Sequence, residues 1–140
     1  MKRLILLLTL LCVCGVAEAQ VQFASGSTDK LRKTAIQEGK LLFIDLYAPW
    51  CGPCRMMDQQ VFSQKEVGDF FAQHFVAAKY NVEQPTGNQL MREHGRGAIP
   101  LYLIFSTDGE LLGRIEGSSS AEKLLADLRR ISEASKKERR

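Results

Sequence analysis

Hydrophobic positions in this chain switch between near-continuous runs and a three-to-four-residue spacing, the signatures of buried strand and amphipathic helix. After an apolar leader, Val21 to Phe23 reads as a short edge strand. Ser27 and Thr28 are placed to cap a helix that carries Leu31, Ala35 and Ile36 and ends near Gly39. Leu41 to Tyr47 reads as a buried strand, nearly all apolar apart from Asp45. A helix opening at Cys51-Gly52-Pro53-Cys54 carries Met56 and Met57 and stops before Ser63. Ser63-Gln64-Lys65-Glu66 spells a capping box, with Phe62 and Val67 at the positions of a hydrophobic staple. Val67, Phe70 and Phe71 form the stripe of the helix that follows. Phe75 to Val82 is the next strand, and Thr86-Gly87-Asn88-Gln89 caps a helix through about His94. Pro100 to Phe105 and Leu111 to Ile115 are strands joined across Thr107-Asp108-Gly109, a hairpin signal. A second capping box, Ser119-Ser120-Ala121-Glu122, starts a last helix lined by Leu124, Leu125, Leu128 and Ile131.

The order β, α, β, α, α, β, α, β, β, α predicts an α/β domain: a central mixed sheet with helices on both faces. Only a tight turn separates the last two strands, so they are expected to be antiparallel. No repeat, low-complexity block or second domain interrupts residues 20–140, which read as one domain.

Residues 1–19 stand apart. Lys2 and Arg3, the apolar run Leu4 to Val16 and the small residues around Ala17-Glu18-Ala19 have the layout of a secretory signal peptide cleaved after Ala19. The run is short for a membrane span, which takes roughly 20 apolar residues, although retention as an anchor is the alternative. Leu11 and Val13 precede Cys12 and Cys14 where a lipidated cysteine wants a small residue, so this pair reads as ordinary leader. The expected setting is extracytoplasmic, periplasmic first and secreted second.

Of the 4 cysteines in the chain, that cleavage leaves Cys51 and Cys54. A single close pair closes almost no loop, so chain-entropy stabilisation does not explain it and chemistry does. Net charge is +3, with much of the excess in the tail at about residues 135–140 (Lys136, Lys137, Arg139, Arg140). Without a basic face interleaved with aromatics, that tail reads as a solvated helix end and nucleic acid is not an expected partner.

A strand leading into C-x-x-C, with a helix following, places Cys51 at a helix amino terminus, where free N–H groups and the dipole favour a thiolate. Cys51 is therefore the candidate nucleophile and is expected to be the more exposed sulfur. Cys54, one turn on, is the candidate resolving thiol. Pro53 pre-sets a helical φ in the first turn and stiffens the small ring, and with Gly52 it is expected to line the substrate-binding surface. Zinc would need a second pair of ligands, and only His74 and His94 are on offer, so no metal is expected. Met56, Met57 and both histidines read as packing or surface residues, and Arg55 as solvated or as a source of positive potential.

Asp45 is either a desolvated carboxyl with a raised pKa, suited to accept a proton from Cys54, or a strand-end acid facing water. Lys79 breaks its own apolar strand in the same way and would pair with Asp45 if the strands are neighbours. Trp50 is either a flat docking surface beside the sulfur or a half-buried core aromatic. Ile99-Pro100 opens a strand, where a cis peptide is allowed and would offer the Ile99 backbone to an extended substrate.

Ile44-Asp45, Trp50-Cys51-Gly52-Pro53-Cys54, Lys79 with Asn81, Ile99-Pro100 and Gly117 resemble the thioredoxin family in order and approximate spacing. The resemblance covers nearly all of residues 20–140 and implies the thioredoxin fold. It also implies Asp45 as the family's buried acid, Lys79 as its partner, Trp50 as a functional surface and Pro100 as the cis-proline opposite the dithiol. The stretch Gln59 to His74 is longer than in cytoplasmic thioredoxins, and its segment Val61-Phe62-Ser63 through Val67, followed by Phe75-Val76, is similar to secreted thioredoxin-like proteins and to the carboxy-terminal periplasmic domain of DsbD-type interchange proteins. Together these imply an extracytoplasmic thiol–disulfide oxidoreductase that reduces protein disulfides, is recharged by a membrane-embedded reductant donor and needs no cofactor. The competing expectations are the same dithiol run as an oxidase or isomerase, and a non-catalytic binding module on the same fold.

Overall fold

The computed structural model describes residues 20–138; the leader at 1–19 and the tail residues Arg139 and Arg140 lie outside the described residues. The elements run β1 (Phe23–Ala24), α1 (Thr28–Glu38), β2 (Leu41–Tyr47), α2 (Gly52–Gln60), α3 (Lys65–His74), β3 (Phe75–Asn81), α4 (Pro85–His94), β4 (Leu101–Phe105), β5 (Leu111–Glu116) and α5 (Ala121–Glu138). This is the predicted order. The strands form one mixed sheet, β1-β3-β2-β4-β5, with β3 parallel to β1 and β2, and β4 antiparallel to β2 and β5.

Alternation along β2 sorts its side chains between two cores. Phe43 meets Met57 of α2, Val61 just past its end, Val67 and Phe71 of α3 and Leu124, Leu125 and Leu128 of α5 in one cluster. Leu42, Ile44 and Leu46 join Leu31 and Ala35 of α1 and Leu90 of α4 in the other. Asp45 follows Phe43 at a two-residue step, so it shares the face covered by α2. An aromatic knot centres on Phe43, with Phe71 edge-on at 4.8 Å and Tyr102 stacked at 5.4 Å.

The caps show where tertiary structure overrode local pattern. Ser27 caps α1, its hydroxyl accepting the Lys30 amide at 3.3 Å, and Gly39 ends the helix at φ 64°, a left-handed turn suited to glycine. The expected box at Ser63 does not form. The Ser63 hydroxyl donates instead to the Gln59 carbonyl at 2.7 Å, closing α2, and α3 starts after Gln64 without a side-chain cap. The cap expected at Thr86-Gly87-Asn88-Gln89 is likewise absent, because α4 starts earlier, at Pro85, with Gln84 as its uncapped flank. At α5 it is Ser120, not Ser119, whose hydroxyl accepts the Lys123 amide, at 3.2 Å. The first strand is Phe23–Ala24 rather than Val21 to Phe23, since the Val21 amide donates to Phe62 at 2.9 Å and its side chain enters the core beside the helices.

α4 approaches β3 closely at Gly87, where a Cβ would fall on the Asn81 carbonyl oxygen. Gly87→Ala gains up to about 1 kcal/mol of helix propensity, but displacing backbone costs about 1–3 kcal/mol. The expected outcome is a net loss of about 1–2 kcal/mol by urea denaturation, and a variant as stable as the parent would contradict this packing.

Candidate functional site

β2 ends at Tyr47, and the turn Ala48-Pro49-Trp50 delivers the chain to α2. The Cys51 amide donates to the Ala48 carbonyl at 3.1 Å, which folds the turn and leaves Cys51 as the N-cap of α2. Its Sγ accepts the Cys54 amide at 3.2 Å, one of the orphan donors of the helix start. Pro53 sits in the first turn, where its missing N–H costs nothing. Cys51 and Cys54 are joined in a disulfide with their Cα atoms 5.3 Å apart.

Both cysteines are 3 % exposed, so the expectation that Cys51 would be the more exposed one is not met. The reason is packing: the pair forms a small cluster with Ala48, covered by Tyr47, Val82 and Ile99. The open surface lies beside it, at Trp50, Gly52 and Pro53. Trp50 is 65 % exposed, which rejects the half-buried core alternative, and its indole N–H donates to Glu83 at 3.0 Å. The Ile99–Pro100 peptide is cis; Pro100 is buried and Ile99 packs on the cysteine cluster. Arg55 is not free in water: its guanidinium donates to the Pro49 carbonyl at 2.8 Å and ties α2 back to the turn.

Parallel pairing sets Asp45 directly beside Lys79, and Asp45 Oδ2 lies 3.3 Å from Lys79 Nζ. The carboxyl is buried, which rejects the solvent-facing alternative. Lys79 also forms an ion pair and hydrogen bond with Asp58 of α2, and its ammonium lies over the rings of Phe23 (5.1 Å) and Tyr47 (4.9 Å). Desolvation raises the Asp45 pKa from an ordinary 3.8 to about 7; Lys79 opposes the rise and the charge of Asp58 adds to it. Asp58 and Glu83 were missed in the sequence. Asp58 had a signal, since it lies four residues after Cys54 on the same helix face. Glu83 follows β3 in a turn and had none.

Among the described residues no cluster of His, Cys, Asp and Glu could hold a metal. The dithiol also sits away from the cleft of about 440 Å³ lined by Gln20, Phe71 and Phe75, which lies at the opposite end of the strands.

A disulfide at the start of α2, a buried acid behind it and a cis-proline alongside invite comparison with known proteins. The Thioredoxin-like domain model matches residues 28–132. The chain belongs to the thioredoxin-like family. It is 32% identical over 101 residues to a thioredoxin of Alicyclobacillus acidocaldarius subsp. acidocaldarius, covering 72% of this chain and 90% of that one. It is 29% identical over 97 residues to the thiol:disulfide interchange protein DsbD of Tatumella citrea, covering 67% of this chain but only 17% of that protein. The solution structure of a candidate disulphide isomerase from Bacteroides thetaiotaomicron superposes with a TM-score of 0.75 at 34% identity, covering 82% of this chain and 95% of that one. This family membership and the Cys51–Cys54 pair make the protein a thiol–disulfide oxidoreductase of thioredoxin fold.

The Asp45 carboxyl gives the fold a pH dependence with a definite sign. The folded protein keeps a proton that the unfolded chain releases between about pH 4 and pH 7. Stability from this group is complete below about pH 4 and is lost as pH rises through 7. The shift from 3.8 to about 7 bounds the loss at about 4 kcal/mol. Asp45→Asn should therefore stabilise the oxidised protein by a few kcal/mol at pH 8 and by little at pH 4, measured by urea denaturation. Equal effects at both pH values would refute the burial account.

Proposed function

We propose that this protein is an extracytoplasmic protein-disulfide reductase. Cys51 as thiolate attacks one sulfur of a substrate disulfide, forming a mixed disulfide and expelling the other sulfur as a thiolate that takes up a proton. Cys54 then gives its proton to Asp45 and attacks Cys51 Sγ. The second substrate thiolate leaves, two electrons have passed to the substrate, and the protein holds the Cys51–Cys54 disulfide. Lys79 tunes Asp45, and Trp50, Gly52, Pro53, Ile99 and Pro100 form the surface that receives the substrate.

The observation that carries this reading is Cys51 Sγ at the N-cap of α2, accepting the Cys54 amide. The same N–H groups and helix dipole stabilise negative charge on that sulfur once the disulfide opens. The leader at residues 1–19 and the likeness to a DsbD interchange protein support an extracytoplasmic setting, periplasmic or secreted. Disulfide-containing proteins of that compartment are the substrates, and a membrane-embedded reductant carrier returns the electrons. The likeness to a candidate disulphide isomerase favours a second reading, the same dithiol used to form or rearrange disulfides.

Cys54→Ser should stall covalent adducts on Cys51 that dithiothreitol releases, and Cys51→Ser should form none; absence of adducts from the first variant would defeat the mechanism. Equilibration with glutathione decides direction. A reduction potential near the thioredoxin value, roughly −270 mV, fits a reductase, and one near roughly −120 mV would overturn that direction in favour of an oxidase.

A further inference from the structure

Asp45 has two cross-strand neighbours in register. Lys79 of β3 is one and Tyr102 of β4 is the other. The first accounts for Oδ2, at 3.3 Å from the ammonium. Among the described residues Oδ1 is buried without a hydrogen-bond partner, and so is the Tyr102 hydroxyl. Buried polar atoms rarely stay unsatisfied, because each costs about 1–3 kcal/mol when left so. Here one orphan is an acceptor and the other is a donor, on adjacent strands and on the same face of the sheet.

The Tyr102 ring is fixed by its neighbours, stacked on Phe43 at 5.4 Å and edge-on to Phe62 at 5.7 Å. Burial, and then the charges of Asp45 and Asp58, push the phenol pKa far up, so the hydroxyl keeps its proton and is always available to donate. A tyrosine whose oxygen served only to fill the aromatic knot would be replaceable by phenylalanine with gain. We infer that Tyr102 is a positioning residue for Asp45, its hydroxyl donating to the carboxylate oxygen that Lys79 does not reach, directly after a small rotation of the carboxyl or through one bridging water.

The proposal rests on Asp45 being the proton acceptor of the reaction above. A donor at Oδ1 stabilises the carboxylate more than the neutral acid and so opposes the burial that holds the proton on. Three groups then face Asp45 from the elements around it: Lys79 from β3 and Tyr102 from β4 favour the charged form, while Asp58 from α2 disfavours it. Tyr102 would thereby keep Asp45 able both to accept the Cys54 proton and to release it again near neutral pH.

Carbon-13 NMR of the Asp45 carboxyl in the oxidised protein tests this without substrate or turnover. In Tyr102→Phe the midpoint should move up by about one pH unit, the equivalent of one modest hydrogen bond. Stability provides the second measurement. Tyr102→Phe should cost more at pH 8 than at pH 5 in the parent protein, and the same at both in the Asp45→Asn background. A midpoint unchanged by Tyr102→Phe, or a stability difference independent of pH with Asp45 present, would overturn the inference and leave the dithiol reading intact. Failure of the Cys54→Ser trap would remove that reading while leaving the NMR result to stand.

Discussion

The parallel pairing of β2 with β3 is the constraint on which the rest of this molecule depends. Its register, running from Leu41 opposite Phe75 to Tyr47 opposite Asn81, settles two things at once. It puts Phe43 among the aromatic side chains beneath α2, α3 and α5, and it puts Asp45 against Lys79 on that same face. A slip by one residue would turn both to the other face, where α1 and α4 offer Leu31, Ala35 and Leu90 in place of the aromatic cluster and Lys79. The aromatic core is thus what holds the carboxyl in place. Burying Phe43 completely is worth about 1.5–3 kcal/mol, and the register that secures this also commits Asp45 to a site with little water.

What happens to that carboxyl follows from how Lys79 is shared. A lysine devoted to one buried acid lowers its pKa by about 1–3 units, yet Asp45 is raised. Lys79 divides itself between Asp45 and the exposed Asp58, and its ammonium also lies against the faces of Phe23 and Tyr47. Desolvation is the largest influence on Asp45, and the charge of Asp58 offsets part of what Lys79 does against it. The carboxyl therefore takes up and releases its proton near neutral pH, which is what the proposed transfer from Cys54 requires. Stability is given up for this, consistent with a site that departs from the all-apolar pattern of its strand.

The sequence showed the architecture and the chemistry more clearly than the joints. The run Leu41 to Tyr47 broken by Asp45, the hairpin at Thr107-Asp108-Gly109 and the dithiol were each legible, because periodicity and turn chemistry are local. The box at Ser63 failed for a reason no local pattern contains. Two helices meet there, and the hydroxyl closes the end of α2 at Gln59 instead of starting α3. The missed partners are likewise relations between segments. Asp58 matters only because β3 brings Lys79 under α2, and Glu83 only because the turn after β3 lies beside Trp50.

The burial of Cys51 carries the argument furthest from the motif. In the oxidised ring both sulfurs are covered, with Tyr47, Val82 and Ile99 around them, while Trp50, Gly52 and Pro53 stand open beside them. Reactivity in the proposed reaction then has two separate sources. Charge stabilisation comes from the start of α2, which acts on Cys51 Sγ whatever the partner is. Access comes from a partner that seats on the open flank and reaches the sulfur past Ile99, so small changes on that flank alter which disulfides are attacked without altering the thiolate. The Trp50 indole, tethered through its N–H to Glu83, is a large exposed apolar surface beside the pair. A rigid aromatic costs little entropy to dock against, so the proposed reaction assigns selectivity among substrates to Trp50 and its neighbours, and intrinsic reactivity to the helix and the buried acid behind it.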